Sequence, residues 1–232
     1  WLTFDAIHNP DSFDLEAFRG CYAIGGADLS RTTDLTSAAL LLMDAQGNKY
    51  VESMSWLPAE QFNDRVAHEH IPYDKWRDAG YLRLCAGNTI DYKDVTAWFL
   101  EAVQEHGITP LFVGYDNWSA RYWVDEMEAN GFEMVRVIQG ARTLSLPMGE
   151  LGADFRAGKI CYNNNPLYEW CCTNVGVQSD RNGNIVPVKA SSPKRRIDAF
   201  MASLDAYTVM CDHLSEFQAL NINTNVEVVK HG

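Results

Sequence analysis

The chain has no CxxC pair. Its six cysteines (Cys21, Cys85, Cys161, Cys171, Cys172 and Cys211) include two that are adjacent and none at zinc-ligand spacing. That argues against a zinc site or a disulfide framework and fits a reducing compartment. No apolar run approaches the ~20 residues that a membrane helix requires. The opening stretch, WLTFDAIHNPDSFDLEAF, places four acids ahead of its first base, Arg19, the reverse of a secretory signal. A chain that opens on Trp1 reads as a piece of something longer. Positive charge is also scarce: 19 Lys and Arg stand against 31 Asp and Glu, for a net charge of −12. Such a balance argues against a generic nucleic-acid binder. It leaves room for a nuclease, whose catalytic carboxylates add negative charge that divalent cations offset.

What is present is the material for one core. With 232 residues, 47% of them hydrophobic, the chain suits a single large domain that folds without metal or disulfide. Residues 21–27, 36–43 and 49–56 read as three consecutive strands. TSAALLLM, the second, is the unbroken apolar run expected of a strand covered on both faces, and DAQGN after it is a hairpin turn. Pro58 opens a helix. Asp91 caps a helix over 92–106 that presents Val95, Trp98, Phe99, Ala102 and Val103 and stops at Gly107. TPLFVGYD (109–116) is a short buried strand. A helix over 118–130, a strand over 133–138, helices over 144–158 and 166–174, and a β-hairpin over 175–189 follow. The last helix, 193–211, has a stripe of Ile197, Met201, Leu204, Thr208 and Cys211. Residues 70–90 show little periodicity. An antiparallel meander followed by alternating strands and helices predicts an α/β mixed sheet with helices on both faces. Residues 21–211 form this domain, 1–20 an N-terminal extension and 212–232 a C-terminal tail.

Three acids stand at element ends, far apart in sequence. Asp28 ends the first strand, Asp116 ends the 109–116 strand and Asp198 lies in the first turn of the last helix. Ligands of a mixed sheet gather at strand ends. Converging carboxylates cannot all stay ionised without cations, and hard oxygen ligands suit Mg²⁺ or Mn²⁺. Two such ions would activate a water and stabilise the leaving oxygen of a phosphodiester. Gly25 and Gly26 would let a substrate backbone come close. Each acid also has a plainer reading: Asp116 as a helix cap, Asp198 as a partner of the helix dipole. Asp34 reads as a turn residue, with an outer acid of the same site as the alternative. Asp205, ~10 Å along the helix from Asp198, is too far to share its metal pair and reads as solvated or paired. His68 and His70 read as surface residues. Trp98, Phe99, Phe112, Trp118, Tyr122 and Trp123 read as core, with a place along the substrate groove as the alternative for Trp118. The stretch RNGNIVPVKASSPKRR (181–196) holds five bases and no acid, and Lys189, Lys194, Arg195 and Arg196 are the candidates for contacts to DNA phosphates.

IGGADLSRTTDLTSAAL resembles the first acidic motif of the nuclease domain of the large terminase subunit of tailed double-stranded-DNA phages. PLFVGYDNWSA resembles its second motif, and NPLYEWCCTNVGVQSDRNGNIVPVKASSPKRRIDAFMASLDAY its C-terminal block. IPYDKWRDAGYLRLCAGNTIDY and VIQGARTLS are similar to intervening blocks, so five blocks occur in family order between about Cys21 and Met210. The resemblance implies an RNase H-like fold and an endonuclease that cuts concatemeric DNA, with little sequence selectivity, using two divalent cations. It implies Asp28, Asp116 and Asp198 as catalytic metal ligands, with Asp28 bridging both ions. Its implied partners are double-stranded DNA, an N-terminal packaging ATPase, the portal protein and the small terminase subunit, in the cytoplasm of an infected bacterium and with no membrane. No GxxxxGK[ST] loop occurs, so the motor is not in this chain. The family often has small residues after the third acid, where this chain has Phe200. The alternatives are a catalytically silent module that docks DNA or portal, and an actin-like ATPase, whose phosphate loop wants glycine where this chain has Ser30.

Overall fold

The structure, a computed structural model, describes residues 1–30, 34–116, 121–190 and 195–231. The roles expected of Trp118 and Lys194 fall outside these residues. Three strands open the sheet: β1 (Tyr22–Asp28), β2 (Thr36–Met43) and β3 (Lys49–Pro58). They pair antiparallel in sequence order. All eight residues of β2 are buried, as an unbroken apolar run flanked by strands on both edges and helices on both faces requires. Asp44 shapes the turn between β2 and β3, where its Oδ1 accepts from the backbone N–H groups of Gln46 and Asn48 and Gly47 takes a φ of +82°. Helix α1 (Ala59–Glu69) then starts directly behind Pro58.

The remaining strands are parallel additions. β4 (Leu82–Cys85) joins β3 on one edge. After α2 (Lys93–Gln104), β5 (Thr109–Tyr115) pairs with β1. After α3 (Arg121–Ala129), β6 (Met134–Arg136) pairs with β5. The order across the sheet is β4-β3-β2-β1-β5-β6, and a short β7 (Ile160–Cys161) touches the start of β3. β4 has no counterpart in the sequence reading. It has four residues, LRLC, too short a run for its pattern to mark a strand, and Arg83 within it donates to Glu101 of α2 in two hydrogen bonds of 2.8 Å. Helices α4 (Ala141–Arg156) and α5 (Pro166–Thr173) precede a hairpin of β8 (Val175–Ser179) and β9 (Ile185–Lys189), and α6 (Asp198–Asp212) closes the domain. The two chain ends meet, with Ser12–Phe13 pairing antiparallel to Val228–Val229.

Two cores result. α2 and α3 cover one face with Trp98, Phe99 and Trp123, against Ala23, Leu40 and Trp56. α4, α5 and α6 cover the other, against Ile24, Ala39 and Leu41. α6 is enclosed on almost every side. Ile197, Leu204 and Thr208 are buried as the stripe predicts, but Met201 and Cys211 are partly exposed. The side facing the sheet is instead Ala202, Asp205, Ala206 and Val209. A Cβ on Gly26 would lie 2.0 Å from the Ala202 carbonyl oxygen and 2.7 Å from the Ala206 nitrogen; one on Gly114, its neighbour across the ladder, would lie 2.8 Å from the Asp205 carbonyl oxygen. Gly25 faces the other way, onto Phe99 and Val113. The glycines of β1 therefore make room for a helix and an aromatic ring, which corrects the expectation that they admit a substrate backbone.

One group on this scaffold ties stability to pH. Glu52 of β3 sits opposite Leu40, partly buried, and burial pushes its carboxyl up to about 7 against an opposing hydrogen bond from Asn163. A carboxyl raised in the fold binds its proton more tightly there than in the unfolded chain. Its contribution is therefore full below about 4.5 and is lost as the pH rises to about 7. At ~1.4 kcal/mol per pKa unit, discounted for partial exposure, about 2 kcal/mol is at stake. Glu52→Gln should raise the melting temperature at pH 8 by ~4–8 °C and leave it nearly unchanged at pH 4.5, which thermal melts at the two pH values would check.

Candidate metal centre

The parallel ladder aligns Ala27 with Tyr115, so Asp28 and Asp116 follow as neighbours on adjacent strand ends, ~4.8 Å apart in backbone. Asp198 reaches the same end because of the direction of α6. Ala202 lies over Gly26 near the top of β1, and His213, just past the helix, stacks on Phe112 low on β5 with ring centres 4.1 Å apart. The helix thus runs antiparallel to β1 and β5, with Asp198, its first residue, at the carboxyl end of both strands. Beyond Asp28, Ser30 donates its N–H to Thr36 Oγ1, whose hydroxyl donates to the Ser30 carbonyl. These bonds pin the loop that holds Asp28 in place.

Acids crowd this end of the sheet. Asp28 is raised well above the ordinary carboxylate range, first by burial and then by Asp198, Asp205, Asp116 and Asp34. Asp198, only 4% exposed, is pushed up to about 7 by burial and then by Asp34, with Lys189 and Arg196 opposing. Its Oδ2 has no hydrogen-bond partner among the described residues. As the side chains stand, no three His, Cys, Asp or Glu among the described residues are gathered closely enough to cage an ion. An orphaned buried carboxylate oxygen, two more acids at the same end and an all-oxygen donor set suit a hard divalent ion.

Asp34 is an ion-pair hub at the rim. Its Oδ1 accepts from Lys189 Nζ at 2.6 Å and lies 3.4 Å from Arg196 Nε. Arg196, buried, also reaches Glu69 at 3.5 Å, and its carbonyl accepts from Asn174 Nδ2. Of the expected phosphate contacts, then, Arg195 is exposed, Lys189 is one-third exposed and paired, and Arg196 is held inside the fold. Tyr122, expected in the core, is 83% exposed. Neither His68 nor His70 is buried, and His68 pairs with Asp64.

Asp205 takes the second of its two expected readings. Asp205 is paired but not solvated: it is 0% exposed, and Gln139 Nε2 donates to its Oδ1 at 2.8 Å. Gln139 is not among the candidates that the sequence offers. Its signal was a lone amide directly past an edge strand, in VIQG.

The model of the terminase large-subunit endonuclease domain matches residues 6–213. The protein YmfN of Escherichia coli (strain K12) is 28% identical over 207 residues, which are 84% of this chain and 44% of that protein. The large terminase of bacteriophage HK97 superposes with a TM-score of 0.71 at 22% identity, over 87% of this chain and 45% of that one. The large terminase nuclease of the thermophilic phage G20c superposes at 0.56 with 14% identity, over 87% and 89%, and its magnesium-bound crystal form at 0.53. The chain spans less than half the length of YmfN and of the HK97 enzyme. Among the described residues no helix is long and apolar enough to cross a membrane. The mixed sheet with helices on both faces is the RNase H-like arrangement of these nucleases, and a match over most of its length places the chain in the family of terminase large-subunit endonuclease domains.

Proposed function

We propose that this nuclease domain hydrolyses phosphodiester bonds of double-stranded DNA with two divalent cations, Mg²⁺ or Mn²⁺, held by Asp28, Asp116 and Asp198. The observation that carries the reading is that these three acids, from the beginning, middle and end of the chain, lie at one end of β1 and β5, near enough for Asp198 and Asp116 both to raise Asp28. When bound, the ions supply Lewis acidity, which lowers the pKa of a water and stabilises the leaving oxygen. Asp28 and Asp116, fixed by adjacent strands, provide a rigid pair of oxygen donors. Asp198 approaches from α6, so closing the set depends on how deeply that helix seats on Gly26 and Gly114. No side chain at the site has to act as a general base. Lys189 and Arg195 supply contacts to the phosphate backbone, which select charge rather than sequence, while Arg196 braces Asp34 and Glu69. In the wider setting we propose, concatemeric DNA is cut inside an infected bacterium, with a packaging ATPase, the portal and the small subunit as partners.

The test is plasmid nicking in Mn²⁺ by the wild-type chain and by Asp28→Asn. Nicking by the wild type should fall to background in the variant while DNA binding persists. Nicking that survives Asp28→Asn would remove the site. DNA binding without nicking by either protein would favour a silent docking module.

A further inference from the structure

Asp205 is a buried acid that the proposed chemistry does not use. It projects from the sheet-facing side of α6, two turns after Asp198, and its backbone carbonyl sits over Gly114, two residues before Asp116. Its side chain is 0% exposed, its Oδ1 accepts from Gln139 Nε2 at 2.8 Å, and its Oδ2 has no partner among the described residues. Gln139 Oε1 is likewise buried and without a partner there. Asp205 makes no ion pair among the described residues, while Asp28 and Asp116 both lie within its electrostatic reach. A buried carboxyl facing like charges is costly. If the need were only to pin α6 to the exit of β6, an asparagine would accept from Gln139 equally well at lower cost. The carboxylate is therefore explained by positive charge on the far side of Asp116 and Asp28.

We propose that Asp205, oriented by Gln139, is a fourth carboxylate that supports the cation site from behind, a positioning residue that strengthens divalent-ion binding without touching the ions. The inference rests on the reading of Asp28, Asp116 and Asp198 as ligands. Gln139 fixes the rotamer so that Oδ1 is occupied and Oδ2 stays turned away from it. Outer-shell partners of this kind govern metal affinity by about 10- to 100-fold.

The experiment is a Mn²⁺ titration read by the rise in melting temperature, on wild type, Asp205→Asn, Gln139→Leu and Asp28→Asn. Asp205→Asn keeps the volume and the bond from Gln139 and removes only the charge. It should fold and need about 10- to 100-fold more Mn²⁺ to reach half the thermal shift. Gln139→Leu, which keeps the charge and loosens it, should need several-fold more. Should Asp205→Asn not fold, Gln139→Leu decides, and a wild-type midpoint there overturns the proposal. A thermal shift lost in Asp28→Asn but unchanged in Asp205→Asn overturns this inference alone. A shift that survives Asp28→Asn overturns the ligand reading and this inference with it.

Discussion

Gly26→Ala should destabilise the domain by about 3 kcal/mol or more and disable the site beyond what lost stability explains. The new methyl would lie 2.0 Å from the Ala202 carbonyl oxygen and 2.7 Å from the Ala206 nitrogen. Both are backbone atoms of a helix enclosed on almost every side, so no rotamer change relieves the contact. Overpacking in a core costs ~1–3 kcal/mol even where side chains can shift, and here α6 must lift bodily. In a domain of this size the melting temperature should drop by roughly 6–12 °C. Asp198 rides on the first turn of the lifted helix, so its oxygens leave the strand ends that carry Asp28 and Asp116. A displacement near 1 Å can cost on the order of 10²-fold in rate, and nicking should fall that far at temperatures where the variant is still folded. Gly25→Ala is the control. Its methyl would meet the Phe99 ring at 2.8 Å and Val113 Cγ2 at 3.0 Å, side chains of the opposite core that can give way. It should lose stability without a comparable loss of nicking. Equal loss of activity in the two variants would show that the seating of α6 is not what sets the site.

The contrast between these glycines shows what was legible and what was not. The strand identity of residues 36–43 followed from an apolar run that only a doubly covered strand tolerates, and the sheet observed around it is the one expected. The common location of the three acids was legible because Asp28 and Asp116 end strands and Asp198 opens a helix, and element ends are where a mixed sheet gathers its ligands. Glycine carries no such label. An approaching DNA strand and an approaching helix call for the same absent side chain, and only the position of Ala202 separates them. α6 was misread for a related reason. A stripe at helical spacing assumes one wet face, whereas α6 is buried from Asp198 to Met210 apart from Met201, so periodicity could not say which side meets the sheet. That is also why the choice between a solvated and a paired Asp205 stayed open. The basic run 181–196 read as uniform, yet burial splits it. Arg196 is drawn inward by Asp34 and Glu69, both distant in sequence, and composition holds no trace of that pairing.

Asp28→Asn should make the metal-free protein more stable while making the metal-bound one less so. Burial and neighbouring acids raise Asp28, Asp198 and Asp205 together. For a carboxyl raised in the fold, stability is fully present below its unfolded value, near 4. It declines as the pH climbs to the folded value, about 7 for Asp198, and at higher pH the whole cost is borne. At pH 8 without metal, then, the acids at this end disfavour one another's charge with Lys189 and Arg196 opposing at Asp198, and replacing Asp28 by a neutral isostere removes one of those acids. The variant should melt measurably above wild type at pH 8. Near pH 4, where the fold keeps these carboxyls protonated, the two should converge. Adding Mn²⁺ should reverse the order. An ion present at 100 times its dissociation constant stabilises the protein that binds it by ~2.7 kcal/mol, and only the wild type has the full set of donors. The crossing is measured by melts in EDTA and in excess Mn²⁺ at pH 8. A metal-free Asp28→Asn variant that melts below wild type would mean that Asp28 stabilises the fold through contacts of its own, and that the acids at this end of the sheet are not held together against their repulsion for the sake of a cation.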